Sequence, residues 1–297
     1  MKKGKIIAIV GGKGGVGKTT TATNLAAAVA RKLSKARNAT VRVGFIDNDP
    51  NHTASTCFGI FEGDLQQSLY AVYGARLTLG QQQTDVLSIL HPVQHPGERG
   101  GDEAIDLAPA HMEMSLLDMR LSSVPGRETV LRRAISGLRQ HYDYTFIDTP
   151  PNLGILSQNA MAAADWIVIP AQTTWLGLEG LVQVLSVFEQ VRASIENSPR
   201  PQIAALLPTF FDAREGLHKE VLNYLRGSAF AEQFPQLAGK VMSTHISRLS
   251  VWNKVQAQAR TVYCAYPDDE LKIAKADLTR AISEMDAVAE EVLALCQ

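Results

Sequence analysis

One stretch constrains the fold before any other. Gly11-Gly12-Lys13-Gly14-Gly15-Val16-Gly17-Lys18-Thr19-Thr20 follows directly on Lys5-Ile6-Ile7-Ala8-Ile9-Val10, a short apolar run rich in β-branched residues. Such a run, without polar alternation, reads as a parallel strand buried on both faces. The alanine-rich segment from Thr21 to Ala30 that comes after it is good helix material. A strand, a glycine turn and a helix in that order form a phosphate-binding context. Glycines let backbone amides turn inward around an anion, and the helix N-terminus adds partial positive charge. Gly12 to Thr19 fits G-x-x-x-x-G-K-[ST] residue for residue. The backbone from Gly12 through Lys13, Gly14, Gly15, Val16 and Gly17 to Thr20 is therefore expected to cradle a nucleotide's phosphates. Lys18 is expected to reach the β- and γ-phosphates, and the Thr19 hydroxyl to ligand Mg²⁺.

A single triphosphate needs one lysine at its terminal phosphates, so Lys13, inside the loop, is surplus. The run Lys13-Gly-Gly-Val-Gly-Lys18-Thr19 resembles the K-G-G-x-G-K-[ST] loop of the ParA/MinD family of deviant Walker ATPases. The resemblance implies that Lys13 crosses a dimer interface to the partner's nucleotide, so that ATP holds two subunits face to face.

Further along, Val41 to Asp47 reads as a second strand that delivers Asp47-Asn48-Asp49-Pro50-Asn51 to the carboxyl edge of the sheet, where open α/β folds place their ligands. The segment is similar to the family's D-x-D-P-Q, with Asn51 in place of the glutamine, and the likeness ties Asp47 to positioning or activating water. Asp49 is read as a cap on the following helix. Tyr142-Asp-Tyr-Thr-Phe-Ile-Asp148 is an apolar strand ending in an acid, the arrangement in which Asp148 holds Mg²⁺. The stretch that follows it, Thr149-Pro-Pro-Asn-Leu-Gly154, looks like the family's γ-phosphate-sensing region, and Leu178-Glu179-Gly180-Leu181 also matches. By the same resemblance, Thr209 and Phe210 lie near the adenine, and Arg214, Lys219, Arg226, Arg248, Lys254 and Arg260 are candidates for a DNA-binding face. Relatives carry a proline-arginine-asparagine run where this chain has Thr244, His245 and Ile246.

The remaining segments are read from local pattern. Residues 64–73 and 127–141 have helical spacing, 91–101 is a loop by its proline and glycine content, and 112–122 supplies a helix. Residues 269–295 form a last helix with an acidic surface, which an anionic membrane would repel. Twenty-nine basic against thirty acidic residues leave a formal charge of −1, so any attraction to nucleic acid must come from a local patch. Three widely spaced cysteines, Cys57, Cys264 and Cys296, read as reduced thiols of a cytosolic protein, and Met1-Lys-Lys-Gly leaves no room for a signal peptide before the first strand.

The expectation is a doubly wound, mostly parallel sheet flanked by helices, with residues 1–297 as one domain that binds ATP and Mg²⁺. The resemblance implies an ATP-dependent partition ATPase, cytoplasmic and nucleoid-associated. It would dimerise on ATP, bind non-specific double-stranded DNA, and be released when a ParB-like partner stimulates hydrolysis. Two alternatives share its motifs: a MinD-like membrane-cycling ATPase, and a relative that positions another cytoplasmic cargo. A redox ATPase like the nitrogenase iron protein would need paired cysteines that this chain does not place as required.

Overall fold

The computed structural model describes residues 4–61, 67–75, 77, 84–95, 103–195, 201–265 and 272–297. Seven strands form one sheet in the order β3-β4-β2-β5-β1-β6-β7. They are β1 (Lys5–Ile9), β2 (Arg42–Asp47), β3 (His91–His95), β4 (Glu103–Ala108), β5 (Tyr144–Asp148), β6 (Trp166–Gln172) and β7 (Gln202–Thr209). All neighbours run parallel except β3, which pairs antiparallel with β4 at the edge.

The apolar runs read as buried strands are buried on both faces. In β1, Ile6 and Ala8 point into one core and Ile7 and Ile9 into the other. The first core is closed by α3 (Leu69–Gly74), α5 (Val130–Ala134), α7 (Ile155–Ala163) and α8 (Trp175–Ser194), and the second by α1 (Lys18–Arg37) and α12 (Lys275–Leu295). α8 contributes Leu178, Leu181, Leu185 and Phe188, one helical face of apolar residues. α1 ends where Asn38 adopts the left-handed conformation at φ 50°, a residue type that tolerates it. Among the described residues no helix is long and apolar enough to cross a membrane.

Several local expectations need correction. Of the loop read over 91–101, residues 91–95 form β3 instead and 96–101 lie outside the described residues; Pro92 is accommodated because an edge strand does not need every amide in the ladder. Residues 127–141 do not form one helix. A 3₁₀ turn at Arg127–Thr129 leads into α5, and Gly137 precedes the separate α6 (Leu138–His141). The helix read over 112–122 divides into a 3₁₀ turn at Met112–Leu116 and α4 (Leu117–Arg120). The 64–73 helix is confined to α3, with residues 62–66 outside the described residues, and the last helix begins at Lys275, with residues 266–271 likewise outside them. Two acids of α12 assigned to a solvated surface face inward instead. Glu291 accepts hydrogen bonds from the amides and hydroxyls of Ser243 and Thr244, and Glu284 accepts from the amide and hydroxyl of Ser247.

Candidate nucleotide site at the carboxyl edge of the sheet

Strand register brings the candidate residues together. Ile9, the last residue of β1, is level with Asp148 of β5, and Asp148 is level with Asp47 of β2. The glycine loop, Asp47 and Asp148 therefore leave the sheet side by side at its carboxyl edge, the ligand position of open α/β folds. In the loop, Gly15 and Gly17 sit at φ 74° and 90°, where a side chain would be strained. Gly17 caps α1 without any side-chain bond, so the first-turn amides of that helix have no side-chain cap competing for them.

The loop is braced from three sides. Thr209 at the end of β7 is fully buried and its hydroxyl donates to the Val16 carbonyl at 2.9 Å. Gln172 at the end of β6 donates to the Gly15 carbonyl at 2.8 Å. Gly12 lies against α8 so closely that an added Cβ would come 2.7 Å from the Gly180 carbonyl oxygen. Phe210, at φ 53°, lays its ring over Gly17. A bulky residue in that region is held there only by its surroundings. The structure thus brings both Thr209 and Phe210 to the loop, with the Thr209 hydroxyl committed to the backbone.

The two loop lysines are engaged differently. Lys18 is buried and donates to the Lys13 carbonyl at 2.8 Å. Burial lowers its pKa, against the pull of Asp148 and Asp49. Lys13 points along α8, where its Nζ meets the Leu176 carbonyl at 2.7 Å and Glu179 Oε2 at 2.8 Å. The roles of Gln172 and Glu179 escape sequence reasoning because both contacts span more than 150 residues. The match over Leu178–Leu181 is the one sequence signal near them.

The acids carry the electrostatics. Asp47 is fully buried and accepts from the Ser55 amide and hydroxyl at 2.7 Å each and from the Asp49 amide at 3.3 Å. Burial pushes its pKa up to about 6 against those hydrogen bonds. Asp148 is fully buried too, and neither carboxylate oxygen has a hydrogen-bond partner of normal geometry among the described residues. Burial first and then Asp47 hold it well above the carboxylate range, while Thr19 and Lys18 pull the other way. An unpartnered buried polar group costs ~1–3 kcal/mol, and a charged one more. The carboxylates of Asp47 and Asp148 and the Thr19 hydroxyl are hard oxygen donors of the kind that suits a divalent cation such as Mg²⁺, and the Lys18 ammonium beside them suits a phosphate. Asp49 does not cap the next helix: its Oδ1 accepts from the Asn51 amide at 2.9 Å in a tight turn, and α2 (Thr53–Cys57) has no side-chain cap.

The six basic candidates separate. Arg214 and Arg248 line one cavity of about 390 Å³ together with Asp212, Asp277 and Arg280, the last of which sequence reasoning missed. Arg214 is paired with Asp212 at 2.7 Å and Arg248 with Glu215 at 3.6 Å, and Lys219 is exposed. Arg226 donates to the Met242 and Ser243 carbonyls, Lys254 to that of Lys272 and Arg260 to that of Cys264. None of these three lines the cavity.

The chain is similar to known proteins in sequence and fold. The AAA domain family AAA_31 matches residues 4–200. The sporulation initiation inhibitor protein Soj of Bacillus subtilis is 35% identical over 237 residues, covering 78% of this chain and 85% of Soj. The chromosome partitioning protein ParA of Caulobacter vibrioides is 34% identical over 224 residues, 75% of each chain. Among solved structures, cobyrinic acid a,c-diamide synthase of Mycobacterium smegmatis, with a bound ATP analogue and magnesium, is similar at TM-score 0.65 and 26% identity, covering 86% of this chain and 93% of that one. An McdA–ATP complex of Cyanothece shares the fold at TM-score 0.73 and 18% identity over 100% and 99% of the two chains. With its double-lysine phosphate loop and this match to Soj and ParA, the chain belongs to the ParA/MinD family of P-loop NTPases, on the partition-ATPase branch.

Proposed function

We propose that this protein is a Mg²⁺-dependent ATPase of the partition type, converting ATP and water to ADP and phosphate by in-line attack. The observation that carries the reading is the fully buried Asp148 carboxylate, with no hydrogen bond of normal geometry among the described residues, level with Asp47 and beside Thr19 and Lys18. In this scheme the amides from Gly12 to Thr20 hold the phosphates, Lys18 leaves the Lys13 carbonyl for the β- and γ-phosphates, and Thr19 and Asp148 hold Mg²⁺. The cation supplies Lewis-acid stabilisation of charge developing on the phosphates. Asp47 orients the attacking water, and a pKa near 6 suits it to accept a proton from that water. Thr209 and Phe210 flank the adenine end, with Phe210 over the start of α1 presenting the ring.

On the same reading, two copies close around ATP with Lys13 directed to the partner's nucleotide. The dimer then binds non-specific double-stranded DNA through Arg214, Lys219 and Arg248, with Arg226, Lys254 and Arg260 as further candidates. A ParB-like partner stimulates hydrolysis, and DNA is released. The test is binding to non-specific duplex DNA over a range of salt with ATP, with ADP and without nucleotide, for wild type and Asp47→Ala. Tight, salt-sensitive binding only with ATP, prolonged in Asp47→Ala, supports the scheme. DNA binding that ignores the nucleotide, or none at all, removes the DNA role, and a wild type that hydrolyses no ATP removes the enzyme.

A further inference from the structure

The first turn of α7 follows the Asp148 loop, and it is held from outside its own segment. Ile155 is the first residue of the helix, so its amide has no intrahelical acceptor, and the cap residue before it, Gly154, has no side chain. Asp118 of α4, 37 residues earlier, satisfies it: Asp118 Oδ1 accepts from the Ile155 amide at 2.6 Å. The approach requires glycine at 154, because an added Cβ would lie 2.6 and 2.8 Å from the two carboxylate oxygens. α4 is itself fixed. Leu117 is fully buried, and Arg120 contacts both the Tyr70 hydroxyl and Glu113.

A second clamp grips the same turn. Asn48, the residue after Asp47, is fully buried and donates to the Leu156 carbonyl at 2.8 Å while its Oδ1 accepts from the Tyr73 hydroxyl at 2.9 Å. Ile155 and Leu156 are therefore tied to α4 on one side and to the end of β2 on the other. Between Asp148 and this turn stand only Thr149, whose hydroxyl is bound to the Ile9 carbonyl at 2.7 Å, the Pro150-Pro151 pair, Asn152, Leu153 and Gly154. With Thr149 anchored and two prolines restricting φ, the position of the first turn of α7 sets the course of the whole loop.

We propose that Asp118 is a positioning residue for ATP hydrolysis: it fixes the start of α7 and thereby holds residues 149–154 in register with Asp148 and Asp47. This rests on the ATPase reading above. Asp118 touches neither nucleotide nor cation in this scheme. Removing it frees the loop to sample other courses, which lowers the fraction of bound ATP poised for attack without weakening the phosphate grip.

The experiment compares wild type, Asp118→Ala and Asp118→Asn, with Lys18→Ala as the inactive reference. Steady-state ATPase kinetics are read beside hydrogen exchange of the peptide containing Ile155, with and without MgADP. Asp118→Ala is expected to lower kcat about tenfold, leave KM within about twofold, and speed exchange at Ile155 about tenfold in both nucleotide states. Asp118→Asn keeps an acceptor oxygen and should recover most of both losses. An Asp118→Ala enzyme with wild-type kcat, an equal effect on kcat and nucleotide affinity, or unchanged exchange at Ile155 overturns the proposal alone. Absence of hydrolysis in wild type itself overturns the ATPase reading and this proposal with it.

Discussion

Replacing Asp47 by asparagine is expected to make the nucleotide-free protein more stable, and increasingly so as pH rises. Burial holds this carboxyl at about 6 instead of an ordinary 3.8. Between those two values the folded state binds more protons than the unfolded chain, so stability falls as pH rises through the window. At ~1.4 kcal/mol per pH unit, the cost of keeping Asp47 ionised and buried reaches about 3 kcal/mol above pH 6. Asparagine carries no such cost. Its Oδ1 can take the Ser55 amide and hydroxyl as Asp47 Oδ2 does, but its NH₂ then faces the Asp49 amide now 3.3 Å away, a donor against a donor. That mismatch offsets about 1 kcal/mol, leaving a net gain of ~2 kcal/mol at pH 8. About half of the ionisation cost has accumulated by pH 5, so the advantage of Asp47→Asn should widen by ~1.5 kcal/mol between pH 5 and pH 8. Urea unfolding followed by circular dichroism at the two pH values, without nucleotide, measures the change directly, and packing differences cancel in it. A gap that stays constant, or a wild type that gains on the variant at higher pH, refutes the reasoning.

Three further outcomes follow from the geometry. Gly12→Ala sets a methyl 2.7 Å from the Gly180 carbonyl and should cost ~1–3 kcal/mol in thermal unfolding, whereas Gly14→Ala, whose nearest neighbour is a Pro151 carbon at 3.7 Å, should unfold like wild type. Glu291→Ala removes four hydrogen bonds to the 243–244 segment and should destabilise by ~1–2 kcal/mol at pH 7. Burial alone would raise the Glu291 pKa, but those bonds outweigh it and hold it below the ordinary 4.5, so the difference should be full above that pH and shrink on acidification below it, as pH-dependent melts would show. Glu179→Gln weakens the tether on Lys13, a half-exposed ion pair worth ~0–1 kcal/mol, and should lower the protein concentration for ATP-dependent self-association by up to about fivefold in analytical ultracentrifugation. Unchanged or weaker association would show that the tether does not compete with the dimer.

The parts of the site legible in the sequence are those whose physics is local. A both-face-buried strand must be apolar throughout, so a carboxylate closing such a run stands out, as Asp47 and Asp148 do. The phosphate loop is legible because its glycines, lysine and threonine are consecutive. What escaped depends on distant partners. Gln172 and Glu179 are ordinary polar residues until the sheet order sets β6 and α8 against the loop. Glu284 and Glu291 have the spacing of a solvated face, and only the docking of residues 243–247 turns them into acceptors. β3 was masked by Pro92, which argues against a central strand but is harmless at an edge. Asp118 lies on a four-residue helix, too short to declare itself by periodicity, and its importance rests on a glycine 36 positions later.

The charge balance under the loop explains why these pieces belong together. Asp47, Asp49 and Asp148 are buried around a single buried lysine, and burial raises the pKa of each of the three. A triphosphate brought to the amides from Gly12 to Thr20 would add further negative charge at short range, and in a medium of low effective dielectric that repulsion would outweigh the loop's hydrogen bonds. The site becomes favourable for both partners when a divalent cation stands between phosphate and carboxylate, because the same ion relieves the buried acids and the nucleotide. The folded protein is thus under electrostatic load where ligand is proposed to bind, and binding there would release it. The first turn of α7 is clamped by Asn48, which follows one of these acids, and leads back through six residues to another. A relaxation at Asp47 and Asp148 therefore has a short, stiff route into α7, which is what a nucleotide-driven change of state requires.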